Sequence, residues 1–305
     1  MDRVLVITGP TCVGKTKVSI EVADILNGEV ICCDSRQIFK YMDIGTAKPN
    51  EKEREKINHH LLDLVEPNQR FSAADYARLA KAKIKELLNK GKVPMVVGGS
   101  GLYLRALTRG FFKGPKADEK TRVKLKKELG TVGMDRLYKR LKEIDPEAAE
   151  KIHPNDENRI IRALEVYELT GKKISRFQKE GEYEPLEFEF VKVGLTTDRE
   201  KLYKRIDKRV DQMMEDGLLD EVKNLKKKGF TSGLMPLRTF GYGELFLYLK
   251  GEISLYEAVD SIKLNTRHYA KRQITWFKKE PKIIWLDAEE FGLADEINQI
   301  FSKNA

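Results

Sequence analysis

Two glycines, a lysine and a threonine near the start of the chain have the spacing of a phosphate-binding turn. They directly follow the apolar run from Val4 to Ile7, which is typical of a buried strand. Glycines permit a turn in which successive backbone N–H groups point inward around a polyphosphate. Lys15 would neutralise phosphate charge, and the hydroxyl of Thr16, at the start of the next helix, can ligate a Mg²⁺ ion shared with the phosphates. The predicted phosphate loop consists of Gly9, Pro10, Thr11, Cys12, Val13, Gly14, Lys15 and Thr16.

Two further polar turns follow apolar runs that are predicted to be strands. Asp34-Ser35-Arg36-Gln37 comes after the run from Val30 to Cys33, and Gly98-Gly99-Ser100-Gly101 comes after the run from Val93 to Val97. Ligands of an open α/β sheet bind at the carboxyl ends of its strands. A diphosphate or triphosphate at Lys15 should therefore lie near Asp34 and Ser100, which is the geometry of a group-transfer site.

The residue types leave alternatives open at Asp34 and Ser100. Asp34 could ligate Mg²⁺, act as a general base toward an incoming nucleophile, or cap the N-terminus of a helix. The hydrogen-bond donors of Ser35, Arg36 and Gln37 favour a substrate role, because capping needs only one polar group. Ser100 could be a helix cap or a hydroxyl directed at the site.

The elements around these turns alternate between strands and helices. Apolar stripes at helical spacing run from Lys17 to Leu26 and after a capping box of Ser72 and Asp75, and strand patterns return at 188–195 and 282–286. Between them, charged helical segments without strand patterns fill 114–187. This order predicts an α/β fold of the P-loop, nucleoside-triphosphate-hydrolase-like class. Its doubly wound parallel sheet is formed by 1–113 and 188–305, and 114–187 is an inserted helical domain.

Composition limits the partner and the compartment. The 305 residues carry a formal charge of +9, from 57 lysines and arginines against 48 acidic residues, which suits a polyanionic partner. Cys12, Cys32 and Cys33 cannot form a disulfide framework and are predicted to be reduced and buried. No apolar run reaches the roughly 20 residues of a membrane helix, and the first residues lead into a strand rather than a signal peptide. We therefore expect a cytoplasmic protein that does not contact membranes.

Basic residues recur at helical spacing in three places, any one of which could be an ordinary solvated face. They are Arg159 and Arg162, Arg205 and Arg209, and Lys263, Arg267 and Lys271. Together with Tyr269 and Trp276, which are interleaved with the last group, they predict a nucleic-acid surface in which cations contact phosphates and aromatic rings stack on bases. For the adjacent His59 and His60, we expect one ring to pack and the other to form a hydrogen bond, rather than a metal site.

These stretches resemble a known family, the tRNA dimethylallyltransferases, also called tRNA isopentenyltransferases. The resemblance covers nearly the whole chain and rests on the order and spacing of several motifs. They are Gly-Pro-Thr-Cys-Val-Gly-Lys-Thr (9–16), Asp-Ser-Arg-Gln (34–37), Asp-Ile-Gly-Thr-Ala-Lys-Pro (43–49), His-His-Leu-Leu-Asp (59–63), the turn from Gly98 to Tyr103, Asn-Arg-Ile-Ile-Arg-Ala-Leu-Glu (158–165) and the segment from Thr266 to Trp276. The departures are small: Ser100 stands where the family usually has threonine, Phe39 where it has tyrosine, and His268 where it has glutamine.

The resemblance implies transfer of a dimethylallyl group from dimethylallyl diphosphate to N6 of the adenine on the 3′ side of the tRNA anticodon, with Mg²⁺, giving N6-isopentenyladenosine. Lys15 and Arg209 would hold the diphosphate, Asp34 would accept the N6 proton, and Ser100 would fix the amine. The helical domain would grip the anticodon stem-loop, and we expect the chain to act as a monomer. The residues expected to contact tRNA are Asp34, Ser35, Arg36, Gln37, Ser100, Arg122, Asn158, Arg159, Ile160, Ile161, Arg162, Arg267 and Lys271.

Three alternatives would use the same phosphate loop. A kinase of a small metabolite would use Asp34 as the base toward a hydroxyl and the helical domain as a lid, and it would consume ATP. A transferase that prenylates free adenine nucleotides would share the chemistry but would not need the RNA stem-loop. A nucleotide-switched RNA-binding protein is disfavoured, because the chain has no Asn-Lys-x-Asp stretch that would specify guanine.

Overall fold

The computed structural model describes residues 1–110, 114–180 and 187–303. Within them, one six-stranded sheet has the order β3-β2-β4-β1-β5-β6, and every neighbouring pair is parallel. The strands are β1 (Arg3–Thr8), β2 (Gly28–Cys32), β3 (His59–His60), β4 (Val93–Gly98), β5 (Glu189–Thr196) and β6 (Ile283–Asp287). In the centre, Ile7 of β1 lies opposite Val97 of β4 and Val193 of β5. This topology confirms the predicted α/β fold class.

Helices connect the strands and continue the chain beyond them. Those before the fifth strand are α1 (Lys15–Leu26), α2 (Glu51–Lys56), α3 (Ala73–Asn89), α4 (Gly101–Arg109), α5 (Glu119–Val132), α6 (Met134–Ile144), α7 (Pro146–Lys151), α8 (Glu157–Thr170) and α9 (Ile174–Glu180). Those after it are α10 (Arg199–Glu215), α11 (Leu218–Lys227), α12 (Tyr242–Tyr248), α13 (Leu255–Phe277) and α14 (Leu293–Lys303), with a short 3-10 turn at Met235–Arg238.

The sheet separates two apolar cores, and the alternation of side chains along β1 supplies both. Val4 and Val6 face the core that contains Tyr76 of α3, whereas Leu5 and Ile7 face the core that contains Val22 of α1. Burial of each such aliphatic side chain contributes roughly 1.5–3 kcal/mol to folding. The two cores therefore hold the strands in register, and with them the polar turns at the carboxyl ends of the strands.

The chain divides into two compact units, Met1–Thr108 with Leu186–Ala305, and Arg109–Pro185. The second unit consists of helices around a core of its own, in which Leu125, Leu137 and Leu164 are fully buried. The predicted boundary at residue 113 lies outside the described residues.

One local feature differs from the sequence prediction. His59 and His60 form the short edge strand β3, and both rings form hydrogen bonds: Nδ1 of His59 with the Ile57 carbonyl (2.9 Å) and Nε2 of His60 with Glu29 (2.7 Å). The expectation that one ring only packs was wrong, because an edge strand leaves both rings partly exposed to polar partners. No helix in the described ranges is both long and apolar enough to cross a membrane.

Candidate active site

The phosphate loop adopts a backbone that requires glycine at two positions. Gly9 has φ +144° and Gly14 has φ +112°, values that side chains with a Cβ rarely adopt. At Gly9 a Cβ atom would also lie 2.6 Å from the backbone oxygen of Leu195 on the neighbouring strand. Gly14 is the N-cap of α1 and makes no side-chain cap, so the first amides of that helix stay available to an anion.

Lys15 is held inside this loop by neutral partners. Its ammonium group donates hydrogen bonds to the carbonyl oxygens of Gly9 (3.0 Å) and Pro10 (2.7 Å). Burial lowers the pKa of Lys15 to about 8, the charge of Asp34 opposes this change, and the charge of Arg209 adds to it. A bound phosphate would supply the negative charge that the two carbonyl groups do not, and would raise this pKa again.

Asp34 directly follows β2, and one of its oxygens shapes the turn. Its Oδ1 accepts a hydrogen bond from the Arg36 backbone N–H at 2.8 Å, two residues along the chain. The next helix begins only at Glu51, so the helix-cap alternative for Asp34 is wrong. Among the described residues, Oδ2 has no hydrogen-bond partner. That oxygen is therefore available to accept a hydrogen bond or a proton.

Ser100 joins two of the polar turns. Its side chain is buried, accepts from the Ser35 N–H (2.8 Å) and donates to the Ser35 hydroxyl (3.1 Å). On α13, burial raises the pKa of the Tyr269 phenol. Ser100 also stands directly before α4, but its hydroxyl contacts the turn after β2 rather than the amides of that helix. It therefore positions the chain next to Asp34.

One cavity of about 250 Å³ brings together most of the predicted catalytic residues. Lys15, Thr16, Asp34 and Arg209 all line it. The lining residues include neither Ser100 nor Ser35, to which Ser100 bonds. The aromatic rings of Phe240 and Tyr269, whose centroids lie 5.0 Å apart, are also part of the lining. The cavity thus combines a cation, a carboxylate and flat apolar surfaces.

Two of the predicted cleft donors are committed to the protein itself. Nη2 of Arg36 donates to the carbonyl oxygens of Gly45 (3.0 Å) and Phe240 (2.8 Å), and its guanidinium lies 4.1 Å from the centroid of the Phe240 ring. Nε2 of Gln37 donates to the carbonyl groups of Thr46 and Ala47. Both side chains line the cavity, but their bonds shape its wall.

Sequence reasoning missed two residues that hold this wall. The Glu221 carboxylate accepts hydrogen bonds from the backbone N–H groups of Asp43 (2.9 Å), Ile44 (2.7 Å) and Gly45 (3.2 Å). Nothing in the sequence connects position 221 with that loop. Gln273 lies on the buried face of α13, where a glutamine in an apolar stripe was a signal that could have been used.

In the helical unit, the predicted tRNA-binding residues have different environments. The guanidinium groups of Arg122 and Arg162 both bond to Glu165, which is 0% exposed. Ile160 and Ile161 are buried in the core of this unit, so the tRNA-binding prediction for their side chains is corrected to a packing role. The two residues that remain at the surface are Asn158 and Arg159, and Arg159 makes an exposed ion pair with Asp156 at 3.3 Å.

The basic residues of the stripe on α13 also differ in their ion-pair partners. Arg267 forms two hydrogen bonds with Asp207 of α10, at 2.9 and 2.5 Å, and Lys263 forms an ion pair with Asp211 at 2.6 Å. Lys271 is exposed and has no ion-pair partner in the described part of the chain. Of this stripe, only Lys271 therefore presents a charge that no carboxylate neutralises.

Comparison with known proteins gives consistent matches over the whole chain. The family model described as IPP transferase matches residues 37–280. A tRNA dimethylallyltransferase of Acetivibrio thermocellus is 50% identical over 298 residues, which are 97% of this chain and 95% of that protein. One of Caldanaerobacter subterraneus is 47% identical over 300 residues, again 97% of this chain and 95% of the relative.

Solved structures match as well. The full-length tRNA isopentenylpyrophosphate transferase of Bacillus halodurans is 41% identical, with a TM-score of 0.73 over 100% of this chain and 96% of that one. A eukaryotic dimethylallyltransferase, solved in snapshots of its action on tRNA, is 32% identical, with a TM-score of 0.83 over 99% of this chain and 80% of that one.

Proposed function

The chain belongs to the family of tRNA dimethylallyltransferases, and we propose that its cavity aligns dimethylallyl diphosphate at the phosphate loop with the N6 amine of an adenine next to Asp34. The enzyme is a transferase that prenylates tRNA. The adenine is the one on the 3′ side of the anticodon. The observation that carries this proposal is that Lys15 and Asp34, from loops after two different strands, line one cavity.

The transfer exchanges one bond for another. The bond between C1 of the dimethylallyl group and the diphosphate oxygen breaks, and its electron pair leaves with the diphosphate. A bond forms between N6 of adenine and C1, and the proton that N6 then loses passes to the carboxylate of Asp34. The products are N6-isopentenyladenosine in the tRNA and free diphosphate, with the proton on Asp34.

The phosphate loop stabilises the leaving group. Negative charge grows on the diphosphate as the allylic C–O bond breaks, and the Lys15 ammonium already lies in the loop with two carbonyl groups as its partners. Arg209 lines the same cavity from α10 and adds a second positive charge. Such fixed charges stabilise the transition state without reorganising during the reaction.

Mg²⁺ fits the donor set of this cavity. The hydroxyl of Thr16 and the carboxylate of Asp34 both line it, and oxygen ligands are those that Mg²⁺ prefers. The described residues contain no group of three or more His, Cys, Asp or Glu side chains that could hold a metal alone. We therefore propose that Thr16 would ligate Mg²⁺, which would supply positive charge to stabilise the leaving diphosphate.

The acceptor adenine must leave the base stack before it can reach Asp34. A base inside an intact stem-loop stack cannot reach a carboxylate that lines this cavity, so the adenine must be flipped into the cavity. The rings of Phe240 and Tyr269 provide apolar surface there. Ser100 would help to fix the amine through its bonds to Ser35, the residue after Asp34.

We assign the grip on the anticodon stem-loop to exposed polar and basic side chains. In the helical unit these are Asn158 and Arg159, and on α13 it is Lys271. Arg122, Arg162 and Arg267 would act mainly by holding these surfaces in shape, because carboxylates neutralise their charges. We further propose that the enzyme acts in the cytoplasm as a monomer. Light scattering of the purified protein should then give the mass of one 35.1 kDa chain.

A competition experiment tests the reaction. The protein is incubated with Mg²⁺, labelled dimethylallyl diphosphate and a stem-loop with adenine after the anticodon, and ATP is supplied in a parallel tube. We expect label on this RNA, none on a matched stem-loop with guanine at that position, none on free AMP, and no ATP turnover. ATP consumption without label on RNA would instead support a metabolite kinase, and label on AMP would support a nucleotide prenyltransferase.

A further inference from the structure

Gln273 of α13 connects the donor loop with the acceptor-side turn. Its side chain is 6% exposed, and its Oε1 accepts a hydrogen bond from the Thr11 backbone N–H at 2.8 Å. Its Nε2 donates to the backbone oxygen of Gly99 at 2.8 Å. One amide group therefore bonds at the same time to the phosphate loop and to the turn that carries Ser100.

The chemistry of the two contacts requires a primary amide. Thr11 offers a donor and Gly99 offers an acceptor, and among side chains of this length only glutamine both accepts and donates from one planar group. The Thr11 N–H bonds to Gln273, so the glutamine fixes the loop at that residue. At Gly99 a Cβ atom would lie 2.2 Å from Nε2 of Gln273, so the close contact also explains the glycine.

The contacts continue from Gln273 to the carboxylate. Gly99 precedes Ser100, Ser100 bonds to Ser35, and Ser35 follows Asp34. On the other side, Thr11 belongs to the loop whose carbonyl groups hold Lys15. Gln273 thus connects the loop proposed to bind the leaving diphosphate with the turn beside the group proposed to accept the N6 proton.

We propose that Gln273 is a positioning residue that fixes the separation between the phosphate loop and the turn beside Asp34, and so sets the rate of transfer rather than the affinity for either substrate. This inference rests on the proposed function of the cavity. Bond formation needs the reacting atoms about 3–3.5 Å apart, and a displacement of about 1 Å can cost on the order of a hundredfold in rate. Each substrate still meets its own binding groups when the two loops move apart.

Gln273→Met tests this proposal, because methionine has a similar length and forms neither hydrogen bond. We expect the single-turnover rate with dimethylallyl diphosphate and stem-loop to fall about a hundredfold. The dissociation constants for inorganic diphosphate and for the stem-loop should change by less than about threefold, which is the pattern of an interaction that acts in the transition state. Gln299→Met, on the exposed face of α14, is the matched control and should leave all three values unchanged.

A second variant keeps the test decisive if the first does not fold. Gln273→Asn keeps a neutral amide but is one methylene shorter, so it cannot bond to Thr11 and Gly99 at the same time and should show the same loss of rate at unchanged affinity. A loss of diphosphate affinity as large as the loss of rate would mean that Gln273 only shapes the donor loop, and an unchanged rate would mean that it positions nothing; either result overturns the proposal. If the unmodified protein labels no RNA, the proposed function fails instead, so the two failures are distinguishable.

Discussion

Lys15 of the α/β unit and two arginines of the helical unit are held in opposite ways. Lys15 bonds only to the neutral carbonyl groups of Gly9 and Pro10, and burial lowers its pKa to about 8. Arg122 and Arg162 instead bond to the carboxylate of Glu165. Burial opposes ionisation of Glu165, but the hydrogen bonds from the two arginines outweigh it and hold the pKa of this carboxyl below its usual value.

The contrast distinguishes a binding cation from a structural one. A cation that bonds only to carbonyl groups has no bonded counterion, so an incoming anion can take that place. A cation that bonds to a buried carboxylate already has an anionic partner, and an RNA phosphate would have to compete with that partner. Basic residues of similar appearance in the sequence therefore have different functions.

The largest effect is expected at Asp34. Its charge raises the pKa of Lys15, although no hydrogen bond joins the two side chains in the described structure. Asp34→Asn should lower the single-turnover rate by roughly 100- to 10,000-fold, the usual contribution of a general base. The affinity for inorganic diphosphate should change little, because the asparagine keeps the turn. Asp24→Asn, on the exposed face of α1, is the control. If Asp34 were only the counterion of Lys15, diphosphate affinity and not rate would change.

The carboxylate of the helical unit gives the next largest effect. Glu165→Gln leaves two partly exposed arginines without their buried counterion, so the loss of stability should be below the roughly 3–5 kcal/mol that removal of one partner of a fully buried pair costs. Urea unfolding of the full chain measures this change. Glu150→Gln, at an exposed position of α7, should stay within about 0.5 kcal/mol of the unmodified protein. A small effect at Glu165 would mean that the arginine charges are free for RNA after all.

The pH dependence of diphosphate binding examines Lys15 directly. Only the protonated amine binds the anion strongly, so affinity should be highest below the pKa of about 8 and fall as the pH rises through it. The decrease should approach tenfold for each further pH unit, until the raised pKa of the bound state is reached. Titration calorimetry with inorganic diphosphate between pH 7 and 9.5 measures it.

Lys15→Arg is the control for the ionisation of diphosphate itself. Arginine remains charged throughout this range, so the variant should lose the decrease that belongs to the protein. An identical pH profile in both proteins would show that Lys15 is not the titrating group.

The phosphate loop and its neighbours were predictable from the sequence because their signals are local. The glycine spacing at Gly9 and Gly14 fixes the backbone, and the rule for carboxyl ends of parallel strands brings Asp34 toward Lys15. The environments of the arginines were only partly predictable. Arg162 and Glu165 are three residues apart on α8, a spacing that favours an ion pair, but Arg122 joins them from 43 positions away.

No local pattern in the sequence identifies the long-range partners of Gln273 and Arg36. The glutamine meets residues 262 and 174 positions away, and the arginine bonds to a carbonyl group 204 positions away. Tertiary packing alone selects these partners. From the sequence, the polar groups of both side chains could equally have been assigned to a substrate.

The smallest effect is expected from a comparison of two arginines of α8, Arg159 and Arg162. Arg159 is exposed and only loosely paired, so Arg159→Ala should weaken stem-loop binding by a few-fold and reduce the slope of log affinity against log salt by about one, as expected for the loss of one phosphate contact. Arg162→Ala removes a charge that is bonded to Glu165, so it should lower stability while leaving the slope of the folded protein unchanged. An unchanged slope in Arg159→Ala would make Arg159 part of an ordinary solvated face. A reduced slope in Arg162→Ala would mean that RNA competes successfully with a buried carboxylate, and the distinction between binding and structural cations would then fail in this unit.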